Sequence, residues 1–174
     1  MRLMLAAGIA VAICTVSTIG ASAEESESTF LSRFEGQWSG GGPFRRNAES
    51  DAVNVKCKLD GDGGTISMSV AGDCRAAIII SKAIGANLTY DATSGSYKGT
   101  YIGARGGTSL LAGKRHGDTL QLTVTWPKIL NGDRVASMAI TNTGDGQLRI
   151  KVTDKVSKDG PTEVTSDLTF EKGS

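Results

Sequence analysis

Residues 53–70 read Val53-Asn54-Val55-Lys56-Cys57-Lys58-Leu59-Asp60-Gly61-Asp62-Gly63-Gly64-Thr65-Ile66-Ser67-Met68-Ser69-Val70. Val53, Val55, Cys57 and Leu59 alternate with Asn54, Lys56 and Lys58, so an extended chain presents apolar side chains on one face and polar or charged ones on the other. A period of two is the mark of a half-buried strand. Ile66, Met68 and Val70 alternate with Ser67 and Ser69 in the same way. Between the two runs, Asp60-Gly61-Asp62-Gly63-Gly64 has the chemistry of a hairpin loop, because Gly accepts positive φ and Asp closes local hydrogen bonds. The expectation is a β-hairpin centred on that loop.

The device recurs along the chain. Leu88 and Tyr90 run into Asp91-Ala92-Thr93-Ser94-Gly95, and Tyr97, Gly99 and Tyr101 run out of it. Leu110 and Ala112 meet the turn Lys114-Arg115-His116-Gly117-Asp118, followed by Leu120, Leu122, Val124 and Trp126. Ala136, Met138 and Ile140 turn at Thr143-Gly144-Asp145-Gly146 into Leu148, Ile150 and Val152, and Lys158-Asp159-Gly160-Pro161 opens a strand with Val164, Ser166, Leu168 and Phe170. This predicts about ten strands at the spacing of a sandwich or barrel. Ala76–Gly85 is the exception: Ile78-Ile79-Ile80 is a continuous apolar run that fits either a fully buried strand or a short helix. Sequential hairpins favour an all-β, antiparallel up-and-down β-barrel, whose closure removes exposed strand edges.

Ahead of this pattern the chain changes character. One early cation, Arg2, precedes an apolar run from Leu3 to Ile13, and Ala21-Ser22-Ala23 stands before Glu24-Glu25. This predicts a secretory signal peptide over 1–23, cleaved after Ala23. Residues 24–33 read as a polar segment and a short helical turn capped by Ser28, carrying Thr29, Phe30, Leu31 and, beyond, Phe34, and ended by Gly36. Residues 34–174 form the barrel domain. The 174-residue chain has 19 Lys and Arg against 18 Asp and Glu. Without the leader, 18 of each remain, with 21 Gly and two Cys. A balanced charge of this kind excludes a broad phosphate-binding face and so nucleic acid as partner. No second apolar run reaches membrane-spanning length. The expected location is the periplasm or the medium.

Cys14 follows Ile13 rather than the small residue that lipid attachment requires, and it leaves with the leader. Cys57 and Cys74 remain, which in an exported protein read as one disulfide. A hairpin centred on Asp60–Gly64 sets Cys57 opposite Met68, leaving Cys74 roughly 20 Å further along an extended strand. A disulfide cannot span that distance. Either the strand bends back at Gly72, or the hairpin is offset, or the bond is absent.

Phe34-Glu35-Gly36-Gln37-Trp38-Ser39-Gly40-Gly41-Gly42, a helical turn followed by Gly-x-Trp on the first strand, resembles the opening of lipocalin-like (calycin) β-barrels. The resemblance implies that Trp38 closes one end of the barrel beside a basic residue from the last strand, for which Lys172 and Lys151 are candidates. The run Trp38-Ser39-Gly40-Gly41-Gly42 with Cys57 and Cys74 is also similar to small exported bacterial proteins whose function is not established. Haem-binding members of the calycin group need a proximal histidine. His116 is the one histidine here, and its Lys-Arg-His-Gly-Asp turn reads as a solvated loop.

No catalytic set emerges. His116 has no nucleophile elbow around it. Asp60 and Asp62 read as turn residues. Gly103-Ala104-Arg105-Gly106-Gly107-Thr108 lacks the helix and Lys of a phosphate loop. Arg45-Arg46, Lys82, Lys114-Arg115 and Lys128 read as loop charges, some of them candidates for a barrel mouth. In Trp126-Pro127-Lys128-Ile129-Leu130, either Trp126 simply ends the alternating core face, or Ile129 and Leu130 form a lid or an exposed contact patch at the strand end. The sequence therefore predicts a non-enzymatic barrel without cofactor or metal. It takes a small apolar or amphipathic molecule through Trp38, Tyr90, Tyr101, Leu122, Trp126, Ile129 and Leu130. The alternative is a module whose loops bind or inhibit an envelope protein.

Overall fold

The computed structural model describes residues 25–47, 49–76, 80–103 and 106–173. The expected leader lies outside them, as do Ile78, Ile79, Ala104 and Arg105. Among the described residues the chain forms one helix, α1 (Glu27–Ser32), and ten strands. These are β1 (Gly36–Phe44), β2 (Val53–Gly63), β3 (Ser67–Ala76), β4 (Ile80–Asp91), β5 (Ser96–Ile102), β6 (Thr108–His116), β7 (Thr119–Leu130), β8 (Asp133–Asn142), β9 (Gln147–Lys155) and β10 (Thr162–Lys172). Each strand pairs antiparallel with its neighbours in sequence, and β1 pairs with β10 to close the barrel. The alternating pattern gives this directly. Leu120, Leu122, Val124, Met138, Ile140, Leu148 and Phe170 fill the interior, while Lys56, Lys58, Lys98, Lys114, Gln121 and Arg149 face water. Among the described residues no helix is long and apolar enough to cross a membrane.

The hairpin of residues 53–76 corrects the expected turn. β2 runs through Asp60-Gly61-Asp62 to Gly63, and the chain reverses over residues 64–66, where the Gly64 amide donates to the Ser67 carbonyl at 2.8 Å. Ile66, expected in the strand, is in this turn and exposed. Gly61 and Gly63 are not loop glycines but strand positions on which the N-terminal segment rests. A Cβ on Gly61 would stand 1.9 Å from the Phe34 carbonyl oxygen, and one on Gly63 2.4 Å from that of Leu31. The turn thus lies further along the chain, which sets Cys57 directly opposite Cys74. The disulfide forms, with Cα atoms 4.0 Å apart.

Four smaller corrections have equally local causes. The helix is capped by Ser26, not Ser28: the Ser26 Oγ accepts from the Thr29 amide at 3.2 Å. The ambiguous Ala76–Gly85 run is strand from Ile80 onward, with Ile80 exposed at the barrel rim rather than buried. On β6 the inward residues are Ser109, Leu111, Gly113 and Arg115, one position out of phase with the expected Leu110 and Ala112, because Arg115 is needed inside. On β10 a bulge between Val164 and Ser166 turns Val164 outward and Thr165 inward before the alternation resumes at Leu168.

Two measurements check this architecture. Replacing both Cys57 and Cys74 by Ser lowers the unfolding free energy by about 3 kcal/mol, the chain-entropy value for a loop of this size, seen as a lower urea midpoint. Gly61→Val forces the helical segment off the barrel and costs roughly 1–3 kcal/mol. A wild-type midpoint for Gly61→Val would refute the close approach.

Candidate functional site

The two ends of the barrel are built differently. At one end, the segment Glu25–Phe34 crosses beneath the strands and buries Phe30, Leu31 and Phe34 completely. Trp38, at the start of β1, donates from Nε1 to the Phe34 carbonyl at 2.9 Å, and the Lys172 Nζ lies 5.6 Å above its ring. Of the two candidates for the basic partner, the position is therefore filled by Lys172, which pairs with Trp38 across the β1–β10 seam.

Two arginines hold the segment in place. Arg115 reaches inward from β6 and donates to Glu27 Oε1 at 3.0 Å and to the Glu25 carbonyl at 2.6 Å. Its side chain is only 8% exposed, so it is an anchor and not the solvated loop charge its Lys-Arg-His-Gly context suggests. Arg33 binds Glu25, Asp118 and the Asn142 carbonyl, each at 2.7 Å. Burial works against its charge, but the hydrogen bonds to Asp118 and Glu25 outweigh it and raise its pKa. The two guanidinium carbons stand 5.0 and 5.6 Å from the Phe30 ring centre, a cation–π contact from each. Tyr97 completes the cluster by donating its hydroxyl to Glu27. Burial, and then the Glu27 carboxylate, push the Tyr97 phenol well above its ordinary value.

Among the described residues no segment comparable to Glu25–Phe34 covers the other end. There the inward side chains of β1, β2, β3, β4, β5 and β10 enclose a cavity of about 390 Å³. Phe44, Val55, Ala76, Ile84, Tyr101 and Leu168 supply much of an apolar wall that also includes Cys74 of the disulfide. Arg46, Ser50, Asp51 and Lys82 stand among its lining, giving it a polar margin. Two recesses of about 20 Å³ each adjoin it. One goes deeper, against Leu59, Val70, Met138 and Ile140, and the other runs sideways toward Ser109, Trp126 and Thr165. Tyr101 and Ser166 line all three spaces.

The residues expected to meet a ligand are divided between these ends. Tyr101 and Trp126 come together at the cavity end, with ring centres 6.3 Å apart. Leu130 is half-buried against the core, and Ile129 is 69% exposed and faces away from it. Leu122 is buried in the packed middle. Trp38 lies at the sealed end, as does Tyr90, whose ring packs 5.1 Å from that of Tyr97. Phe44, Val55, Ile84 and Leu168 were not singled out from sequence, because each is an ordinary inward position of its strand. Phe44, Val55 and Ile84 lie in the halves of their strands away from the helical segment, and Leu168 lies mid-strand. Among the described residues no group of three His, Cys, Asp or Glu side chains converges as a metal site would.

No model of a known protein family matches the chain, and no curated protein matches it either.

Arg115→Leu leaves Glu27 without its cationic partner, with only the Tyr97 hydroxyl still donating to it, removes a donor from the Glu25 carbonyl, and lowers stability by about 2–3 kcal/mol, somewhat under the cost for a wholly buried pair. A urea titration reads this loss. Tyr97 gives a pH signature. Its phenol ionises near pH ~10 in the unfolded chain and higher in the folded barrel, so the folded state keeps a proton that the unfolded state loses. Its contribution is intact below about pH 10 and disappears as the pH rises past that value. In an alkaline titration, phenolate absorbance from this residue appears together with unfolding, and Tyr97→Phe removes that coincident step.

Proposed function

We propose that this protein is a non-enzymatic binding barrel that takes a small apolar or amphipathic molecule into its open end. The observation that carries the reading is the cavity of about 390 Å³, apolar in its walls and polar at its margin. That size falls within the range of small-molecule sites, and the combination suits a ligand with an apolar body and a polar end. The packed far end supports the same reading, since one closed and one open end make a cup rather than a channel. The stack of Lys172 on Trp38 supports membership of the lipocalin-like barrels, in which that pairing is expected. The disulfide fits an exported protein, periplasmic or secreted, with the leader removed after Ala23.

A reading as a loop-based interaction module draws on one observation, the exposure of Ile129 together with Val135 and Val164. These are separate residues on three strands, and scattered exposed aliphatics are ordinary on soluble surfaces. The unfilled interior weighs in favour of the ligand.

The test is uptake of an apolar fluorophore such as anilinonaphthalene sulfonate by the purified mature chain. Wild type is expected to bind it at micromolar concentration with a blue-shifted emission. Ile84→Trp fills the cavity and weakens binding by about tenfold or more, whereas Ile129→Ser leaves it unchanged. Equal binding by wild type and Ile84→Trp would show that the dye sits elsewhere.

A further inference from the structure

Resting on the ligand-binding reading, we propose that Tyr101 sets the length of the molecule the barrel accepts, and that this molecule carries a straight aliphatic chain inserted end-on. Tyr101 is the inward residue at the mouth half of β5, and its ring lines the large cavity and both recesses. No other aromatic residue does so: Phe44 lines the large cavity and the side recess, and Trp126 only the side recess. The ring therefore stands at the junction of the three spaces, half-buried and packed against Trp126.

Gly103 fixes that position. A Cβ there would fall 2.5 Å from the Tyr101 hydroxyl and 2.6–2.7 Å from two ring carbons, so the bare backbone is the surface on which the ring lies. Beyond the ring, the deeper recess is bounded by the side chains of Leu59, Val70, Met138 and Ile140, with no polar group other than Tyr101 and Ser166 on its wall. It can receive methylene or methyl groups and offers nothing to a polar end. The polar groups stand at the other extreme, where Arg46, Asp51 and Lys82 line the cavity. A ligand satisfying both ends has its polar group outward and an unbranched chain pointing at Tyr101. With the ring in place, the chain stops in the large cavity. With the ring removed, the cavity and the deep recess join and further methylenes find apolar wall.

The experiment displaces anilinonaphthalene sulfonate from the full mature protein with octanoate, dodecanoate and hexadecanoate, for wild type, Tyr101→Ala, Tyr101→Leu and Gly103→Ala. Circular dichroism and the intact disulfide confirm the fold of each. In wild type, affinity stops rising with chain length within the series. Tyr101→Ala and, to a smaller degree, Tyr101→Leu shift the optimum to a longer chain, with about tenfold tighter binding of the long member, the effect of roughly two more buried methylenes. Gly103→Ala displaces the ring into the cavity and shifts the optimum to a shorter chain. An identical length profile in wild type and in the folded Tyr101 variants overturns the role of Tyr101 while leaving the binding barrel intact. Dye uptake without displacement by any member overturns the straight-chain ligand. Absence of dye uptake in every variant removes the binding reading, and this inference falls with it.

Discussion

The clamp of Arg33 and Arg115 on the segment Glu25–Phe34 decides what the rest of the barrel can be. Ten strands closed into a ring leave two ends, and side chains alone fill only the middle. Here one end is covered by Phe30, Leu31 and Phe34, held by charge-assisted hydrogen bonds to Glu25 and Glu27 and by two guanidinium groups against one ring. Such contacts gain strength where water is excluded, and they exclude it themselves by seating the helix. Among the described residues no comparable segment covers the opposite end, and the apolar cavity lies there.

The clamp also explains why an inward arginine is tolerated in a barrel of otherwise apolar phase. Arg115 occupies a position that the sequence reading assigns to a turn as a loop charge, and in β6 its inward placement goes with the exposure of Leu110. Burying a charge without partners is costly, but Arg115 has Glu27, the Glu25 carbonyl and the Gly117 carbonyl within hydrogen-bond reach. Burial and the Glu27 carboxylate raise the Tyr97 phenol against the opposing pull of Arg115, and a single cluster links three strands and the helix.

Most of the architecture was legible in the alternation of residues, since a half-buried sheet allows only one phase per strand. The ten strands, their sequential pairing and the closed barrel follow from it. What was illegible involved residues with two physical uses. Gly61 and Gly63 carry turn chemistry but serve as a seat for another segment, a fact set by residues some thirty positions earlier in the chain. That displacement hid the partnership of Cys57 and Cys74. The bulge at Val164 is a backbone event with no side-chain signature. At the site, Tyr101 and Trp126 were visible as aromatic residues near strand ends, but Trp38 and Tyr90 look the same in sequence and lie at the plugged end. Only the fold distinguishes one end of a strand from the other.

The β1–β10 seam has a kinetic consequence. Every other strand pair is a hairpin whose partners follow one another, and such local contacts form with little loss of chain entropy. The seam instead joins Gly36–Phe44 to Thr162–Lys172, which are separated by nearly the whole domain. During synthesis from the N-terminus, β1 waits with one edge unpaired until the final strand emerges. Its Gly40-Gly41-Gly42 run gives that edge no side chains to pack against a stranger, so the interval exposes a poor template for mispairing.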